Sequence, residues 1–437
     1  MEWWLLLVII FATLIFLFLI EVPVAFSFLL INVLGFYFFM GGRAGLNQLI
    51  LSIYESVTTF VLLPVPLFIL MGDLMFRTGV APRMIETLDK WLGRVPGRLS
   101  LLTVFGGAVF GAVSGASMAS VAMLGSVVLP DMEKRGYKKP MSLGPILGSA
   151  GLDILIPPSA VGVVLAALGR FPVGKFLVAI TIPGILLAVL YAIYVIVRCR
   201  LQPSLAPAYE TTPTPLSEKI NATLYYVVPL GSVFFLAIGL IFLGVATPSE
   251  AAALGALGSF GLALFYRSLN WKVFKETIAS VLRVTVMVFM IIAGATAFSQ
   301  ILAFTGTTVE LVMLSERLPL PPMLILVLMQ IIVLIMGCFM EGISIIMVTI
   351  PIFMPIINAL GFNPIWFGAI LLLNLQVGGI SPPFGMTLFV LKGVAPRHIT
   401  MKDIYLAAYP FIALDILMMA LMMAFPQITL WAPGLMK

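Results

Sequence analysis

Apolar residues in this chain run in blocks too long for the alternation of a half-buried strand and too unbroken for the stripe of a soluble helix. About 20 apolar residues carry a helix across the hydrocarbon layer of a bilayer. Blocks of that order occur at 3–20, 22–40, 59–76, 142–169, 176–197, 222–243, 248–266, 284–303, 364–391 and 403–425, and they predict ten crossings. Two further blocks, 99–129 and 323–355, are each about 30 residues long, too much for one upright helix, with glycine or serine near the middle. Both are read as re-entrant hairpins.

Composition agrees with lipid as the solvent. Of 437 residues 62% are apolar and 10% charged, with a mean hydropathy of +1.17, whereas soluble domains carry about 25% charged residues. A cytosolic enzyme, a nucleic-acid-binding module and a secreted domain are excluded on that ground. The net charge of +6 reads as loop cations that set orientation rather than as a patch for nucleic acid. Two cysteines, Cys199 and Cys338, and one histidine, His398, assemble neither a metal-ligand cluster nor a Cys/His nucleophile pair. The first block lacks a basic leader and a small-residue cleavage signal, so it is expected to stay as a membrane helix.

The long polar, proline-bearing stretch lies near the midpoint. It divides the chain into a first half at 1–200, a linker at 201–221 and a second half at 222–437. At an offset of 225 residues five prolines meet prolines: Pro23/Pro248, Pro96/Pro321, Pro130/Pro355, Pro157/Pro382 and Pro158/Pro383. Chance gives about one such pair, so the halves read as copies of each other. Five crossings per half force the second copy into the membrane upside down. Charge agrees: 131–140 is basic and faces the cytoplasm, while its counterpart 356–364 carries no charge. Inverted repeats with interrupted helices are a signature of secondary transporters, whose sites lie near mid-membrane.

Paired prolines mark the interruptions. Pro157/Pro158 and Pro382/Pro383, the latter preceded by Gly378 and Gly379, sit inside crossings. Each proline removes a donor and clashes with the preceding turn. Carbonyls freed at that depth must face protein or a cavity, and a bound sodium ion is one way to satisfy them; a plain proline kink is the alternative. The first hairpin is expected to turn at Ser114, Gly115, Ala116 and Ser117, where small residues also suit close helix packing. The second is expected to turn near Glu341, Gly342 and Ser344. Helix N-termini at the two tips would offer N–H groups to a substrate carboxylate. Asp73 and Asp153 lie in apolar surroundings, where an acid costs about 2.5–3.5 kcal/mol, and are functional candidates by default. For Asp73 a place at the interface beside Arg77 is the other reading. Glu250, three residues after Thr247, has the spacing of a capping box.

Six segments then carry a specific likeness: PLFILMGDLM (66–75), FGAVSGASMASVAMLGSVVLPDMEKRGY (110–137), ILIPPS (154–159), ATPSEAAA (246–253), IPIFMPIINALGFNPIWFG (350–368) and NLQVGGISPPFGMTLFVLKGVAP (374–396). The chain resembles, over essentially its whole length, the large membrane subunit of TRAP transporters, the DctM family. The resemblance implies an all-α, inverted-repeat, elevator-type permease of a bacterial inner membrane, driven by a sodium gradient. It implies a small four-helix membrane subunit and a periplasmic substrate-binding protein as partners, and a small organic anion, a carboxylate or sugar acid, as substrate. The family's substrate and sodium positions fall on Ser114 to Ser117, the stretch ahead of Pro157, the Glu341 region and the stretch ahead of Pro382; with the residues read above, the candidate substrate contacts are Asp73, Ser114, Gly115, Ser117, Ser159, Glu341, Ser344 and Ser381. The candidate sodium ligands are Ser114, Gly115, Gly151, Asp153, Pro157, Gly342, Gly378, Gly379, Ser381 and Pro382. The chain departs from the family pattern at Asp153, where glycine is usual, and at Glu341–Gly342, where Asp-Pro is usual. A self-sufficient sodium- or proton-coupled symporter is the alternative reading. A membrane enzyme would need a nucleophile/base pair that the sequence lacks.

Overall fold

A bare peptide group has no hydrogen-bond partner in lipid, so a chain this apolar must close its backbone bonds within helices. The computed structural model describes residues 3–93, 95–114, 117–207 and 215–436, helical nearly throughout and without a strand among the described residues. Seven helices are long and apolar enough to cross a bilayer, and one of them, Gly342–Ala359, is a hairpin arm. The other six are Phe60–Arg77, Val173–Leu201, Leu216–Phe242, Pro248–Phe265, Trp271–Phe304 and Met401–Ala424. Lys139–Leu155 with Ala160–Gly169, bent by 45° at its break, is a seventh crossing. Trp3–Leu19, Val24–Phe39 and Pro364–Ile380, apolar but shorter, lie in the remaining three predicted blocks.

The offset of 225 holds for whole elements. Ser117–Lys134 falls residue for residue on Gly342–Ala359, and 139–155 falls on Pro364–Ile380. Each hairpin has two full arms, of 17 and 18 residues in the first (Arg98–Ser114, Ser117–Lys134) and 16 and 18 in the second (Pro322–Gly337, Gly342–Ala359). Both hairpins outrun the apolar blocks that predicted them, the first reaching Arg98 and Lys134 and the second Pro322 and Ala359. In the second half the first crossing starts at Leu216, inside the stretch read as linker, since helix propensity carries it into Ser217, Glu218 and Lys219.

Four helices have no counterpart among the predicted spans: Arg43–Thr58, Val80–Leu92, Thr307–Arg317 and Gln427–Gly434. The first three mix charged and apolar positions, and the last is short, so none forms a block of crossing length. The halves also differ at one joint. Arg43–Thr58 and Pro64–Arg77 are two helices where the second half has the single Trp271–Phe304. Pro64 and Pro66 stand where the second copy has Phe289 and Ile291; neither can donate the backbone hydrogen bond that a continuous helix needs, and the chain turns extended at Thr59 (φ −66°, ψ 124°). The predicted capping box forms, Thr247 Oγ1 accepting from the Glu250 amide and the Glu250 carboxylate from the Thr247 amide.

Two groups of helices position the centre. An outer frame packs Val24–Phe39, Pro64–Arg77, Pro248–Phe265 and Trp271–Phe304 on one another. Asn32 Nδ2 donates to Gly294 O within it (2.8 Å). In the inner group the second arm of each hairpin lies on the short helix that follows the other half's break: Ser117–Lys134 on Met386–Val394, and Gly342–Ala359 on Ala160–Gly169. Such reciprocal pairing is what two copies related by a pseudo-two-fold require. Bare backbones let the elements close up. The Phe411 ring, fully buried, fills the space left by Gly144 and Gly148. A Cβ on Gly337 would stand 2.6 Å from the Gly378 Cα, so the second hairpin and the second broken helix touch main chain to main chain. Gly337→Ala should therefore cost about 1–3 kcal/mol. It should lower the melting temperature of the detergent-solubilised protein, whereas Gly231→Ala, which meets nothing within 4 Å, should leave it unchanged.

Candidate functional site

A cavity of about 390 Å³ lies where the interrupted elements meet. The opening turns of four helices line it: Ser117, Met118 and Ala119; Ala160 and Val161; Gly342 and Ile343; Met386 and Thr387. An unsatisfied N-terminus carries roughly half a positive charge, so helix starts gathered around one space favour an anion there. The lining obeys the internal symmetry, since Ser117/Gly342, Met118/Ile343, Ile154/Gly379 and Val161/Met386 are all pairs at the offset of 225. The frame closes the far side with Phe68, Asp73 and Phe76 from one helix and Ser280, Val284, Met287 and Val288 from another. A larger cavity, about 920 Å³, lies between 52–64, 166–175 and 241–249 and holds none of the predicted site residues.

Of the residues singled out from the sequence, Asp73, Ser117, Glu341, Gly342 and Gly379 line the smaller cavity. Asp73 also lies beside Arg77. Its Oδ2 pairs with Arg77 Nε at 2.6 Å, and Arg77 reaches Glu276 at 2.8 Å. Asp153, 2% exposed, stands behind the wall and accepts from Ser117 Oγ at 2.9 Å. Ser159 caps its own helix, accepting from the Gly162 amide at 3.1 Å. Ser381 Oγ donates to Val377 O at 2.6 Å, and Ser344 is buried in its hairpin arm. Gly151 packs on Gln376 and Gly378 on Gly337. Pro157 precedes the lining residue Pro158, and the two are joined by a cis peptide, as are Pro382 and Pro383. Ser114 ends the first arm, and Gly115 lies outside the described residues.

The carbonyls of the second break have partners. Gly379 O accepts from Thr387 Oγ1, Gly378 O from the Ser381 amide (3.2 Å), Ser381 O from the Gly385 amide (3.0 Å) and Pro383 O from Tyr405 (2.8 Å). Cys338 Sγ lies 3.8 Å from Pro382 O. A carbonyl has two lone pairs, so a cation here would share these oxygens rather than find them bare.

The sequence model of the family described as "Tripartite ATP-independent periplasmic transporter, DctM component" matches residues 11–428. The chain belongs to the DctM family. The C4-dicarboxylate TRAP transporter large permease protein DctM of Pseudomonas aeruginosa is 32% identical, over 89% of this chain and 90% of that one. The ectoine TRAP transporter large permease protein TeaC of Halomonas elongata is 30% identical, over 96% and 97%. Among solved structures, the YdaH transporter of Alcanivorax borkumensis superposes with a TM-score of 0.64 at 16% identity, covering 90% of each chain. MtrF of Neisseria gonorrhoeae does so with 0.64 at 16%, covering 87% of this chain and 84% of its own. That likeness concerns the fold. The DctM relatives are named as permeases, so the chain is a multi-pass transport protein and not an enzyme.

Within this DctM-family fold, sequence reasoning passed over three polar residues that line the cavity, Ser280, Gln376 and Thr387. Gln376 carried a signal, because an amide in the otherwise apolar run LLLNLQVGG is conspicuous. Thr387 carried none, as threonine is unremarkable in a membrane helix. The Ser117–Asp153 bond ties the first hairpin tip to the first broken helix. Losing a partner from a buried carboxyl group costs about 1–3 kcal/mol. Ser117→Ala should destabilise the protein by that amount in thermal unfolding, and in an Asp153→Gly background it should cost nothing further.

Proposed function

We propose that the chain is the permease subunit of a sodium-gradient-driven importer of a small organic anion in a bacterial inner membrane. A periplasmic binding protein would deliver the substrate, and a small four-helix membrane subunit would complete the complex. The convergence of four helix N-termini on one cavity between two repeats carries this reading. Relatives named for C4-dicarboxylate, ectoine and isethionate transport support small polar organic substrates of this size. The chain spans 59% of the isethionate TRAP transporter permease protein DctMQ of Oleidesulfovibrio alaskensis, which leaves room in that protein for a second component.

The substrate carboxylate would sit against the N–H groups of the four helix starts. Glu341, an exposed acid whose side chain does not cap its own helix, would face sodium together with carbonyls of the hairpin tips and breaks. Coupling then follows from charge. Two like unit charges 4 Å apart repel by about 4 kcal/mol at an effective dielectric of roughly 20. An anion beside an uncompensated carboxylate therefore binds poorly, and a sodium ion removes the penalty. Alternating access would carry the loaded inner group past the frame in elevator fashion.

Proteoliposomes holding the permease and the four-helix subunit, supplied with the loaded binding protein, test this. Uptake should need an inward sodium gradient and should collapse when sodium is equal on both sides. Equal uptake without sodium would remove the coupling, and uptake of free substrate without the binding protein would identify a self-sufficient symporter.

A further inference from the structure

The larger cavity repeats a wall of the smaller one. Glu55, Thr59 and Leu62 line it from the frame, and at the offset of 225 they fall on Ser280, Val284 and Met287, which close the smaller cavity. The two stretches of frame are therefore inverted copies. Helix Ala160–Gly169 of the inner group runs from one cavity to the other: Val161 and Val164 line the smaller, Ala166, Ala167 and Leu168 the larger. Val161 and Leu168 lie about 10 Å apart along the helix axis. An inner group that carries its substrate site from one frame wall to the other has to enter the larger cavity, and a body lodged there stands in its way.

The lining says what chemistry such a body needs. Leu62, Ala166 and Ile292 are buried and apolar, and Phe60 and Val61 add apolar surface that is exposed. Three charged side chains line the cavity, Glu55, Arg170 and Lys175, all exposed. None of the three enters an ion pair of the described residues. Two cations against one acid leave an excess of positive charge. Arg170 ends the crossing that starts from the basic loop 131–140, so these cations lie on the face opposite the cytoplasm. Cavities of about 300–1,000 Å³ suit ligands of drug size, and at about 920 Å³ this one is more than twice the smaller cavity.

We propose that the larger cavity is an inhibitory site for amphiphilic organic anions, reached from the outer face. The acidic head sits at Arg170 and Lys175, and the hydrocarbon body lies against Leu62, Ala166 and Ile292. Because the walls belong partly to the frame and partly to the inner group, the occupant wedges the two in the arrangement seen here. The inference goes beyond the proposed transport reaction and rests on it for the inhibition, though not for the binding.

Decanesulfonate, a permanent anion that carries no protons across a bilayer, is the probe, and decyltrimethylammonium is its cationic control. Both are added outside proteoliposomes holding the complete transporter, below the concentration that releases a trapped dye, with succinate, isethionate or ectoine as substrate, whichever is carried best. Saturating decanesulfonate should lower kcat about tenfold and leave the KM unchanged, so that excess substrate gives no relief. Arg170→Gln/Lys175→Gln should raise the half-inhibitory concentration by about tenfold with uninhibited uptake and melting temperature unchanged, and the cationic control should not inhibit. In nanodiscs decanesulfonate should raise the melting temperature of the wild-type complex and not that of the double variant. Relief by substrate would move the probe to the smaller cavity and overturn the proposal. Equal inhibition of the double variant, equal potency of the cation, or stabilisation without inhibition would overturn it as well. A wild-type complex that carries none of the three substrates, yet is stabilised by decanesulfonate through Arg170 and Lys175, would sink the transport reading and leave the anion site standing.

Discussion

Backbone interrupted at bilayer depth is the constraint from which the rest of this structure follows. Lipid offers an exposed N–H or C=O nothing, so each interruption must be satisfied by protein or by a polar cavity. Four of them meet at the centre: two hairpin turns and two breaks at paired prolines. Gathering them around one space lets a single cavity serve the free N-terminal amides of all four following helices. That gathering in turn demands close approach. Gly337 against Gly378, Gly151 under Gln376 and the glycines around Phe411 meet the demand, which is why small residues concentrate near the centre of an otherwise bulky sequence.

Symmetry builds the cavity, and departures from symmetry give it chemistry. Helix starts recur faithfully at the offset of 225, so the positive ends are shared equally between the copies. The side chains placed on those positions are not shared. Ser117 answers to Gly342, Asp153 to Gly378, and Gly151 to Gln376. The frame departs too, with Pro64 and Pro66 interrupting in one copy a helix that runs unbroken in the other. A duplicated fold thus provides a neutral, two-fold vessel, and single substitutions in one copy make it polar, acidic or directional at chosen points.

The long apolar helices, the two helical hairpins and the spacing of 225 between matching elements were legible because lipid imposes a length rule and because prolines leave a periodic mark. The amphipathic helices 80–92 and 307–317 were not, since a helix lying along an interface needs no long apolar block. The neighbourhood of Asp73 and Arg77, four residues apart, could be read from the sequence, but the pairing of Asp153 with Ser117 was out of reach for another reason: hydropathy shows that an acid is buried, and only geometry shows what answers it. The carbonyls of the second break make the same point. Proline predicts that their helical partners are lost, but Thr387, Tyr405 and Cys338, which approach the freed oxygens, come from elsewhere in the chain.

Charge around the cavity bears on why an anion would travel with a cation. Asp73 on the frame is held by Arg77, which also reaches Glu276, so each of these two acids has a cation beside it. Asp153 is held by the Ser117 hydroxyl behind the wall. Glu341 differs, sitting at the tip of the second hairpin without capping its own helix. In the proposed cycle the element that carries substrate therefore also carries an acid whose charge opposes the substrate. Four helix dipoles attract the anion whichever ion is present, but they do not cancel a full negative charge a few ångströms away. A sodium ion does, and it does so on the inner group rather than on the frame, so the compensating charge would move with the cargo. Placing the uncompensated acid on the frame instead would let substrate cross without its ion once it had left that wall.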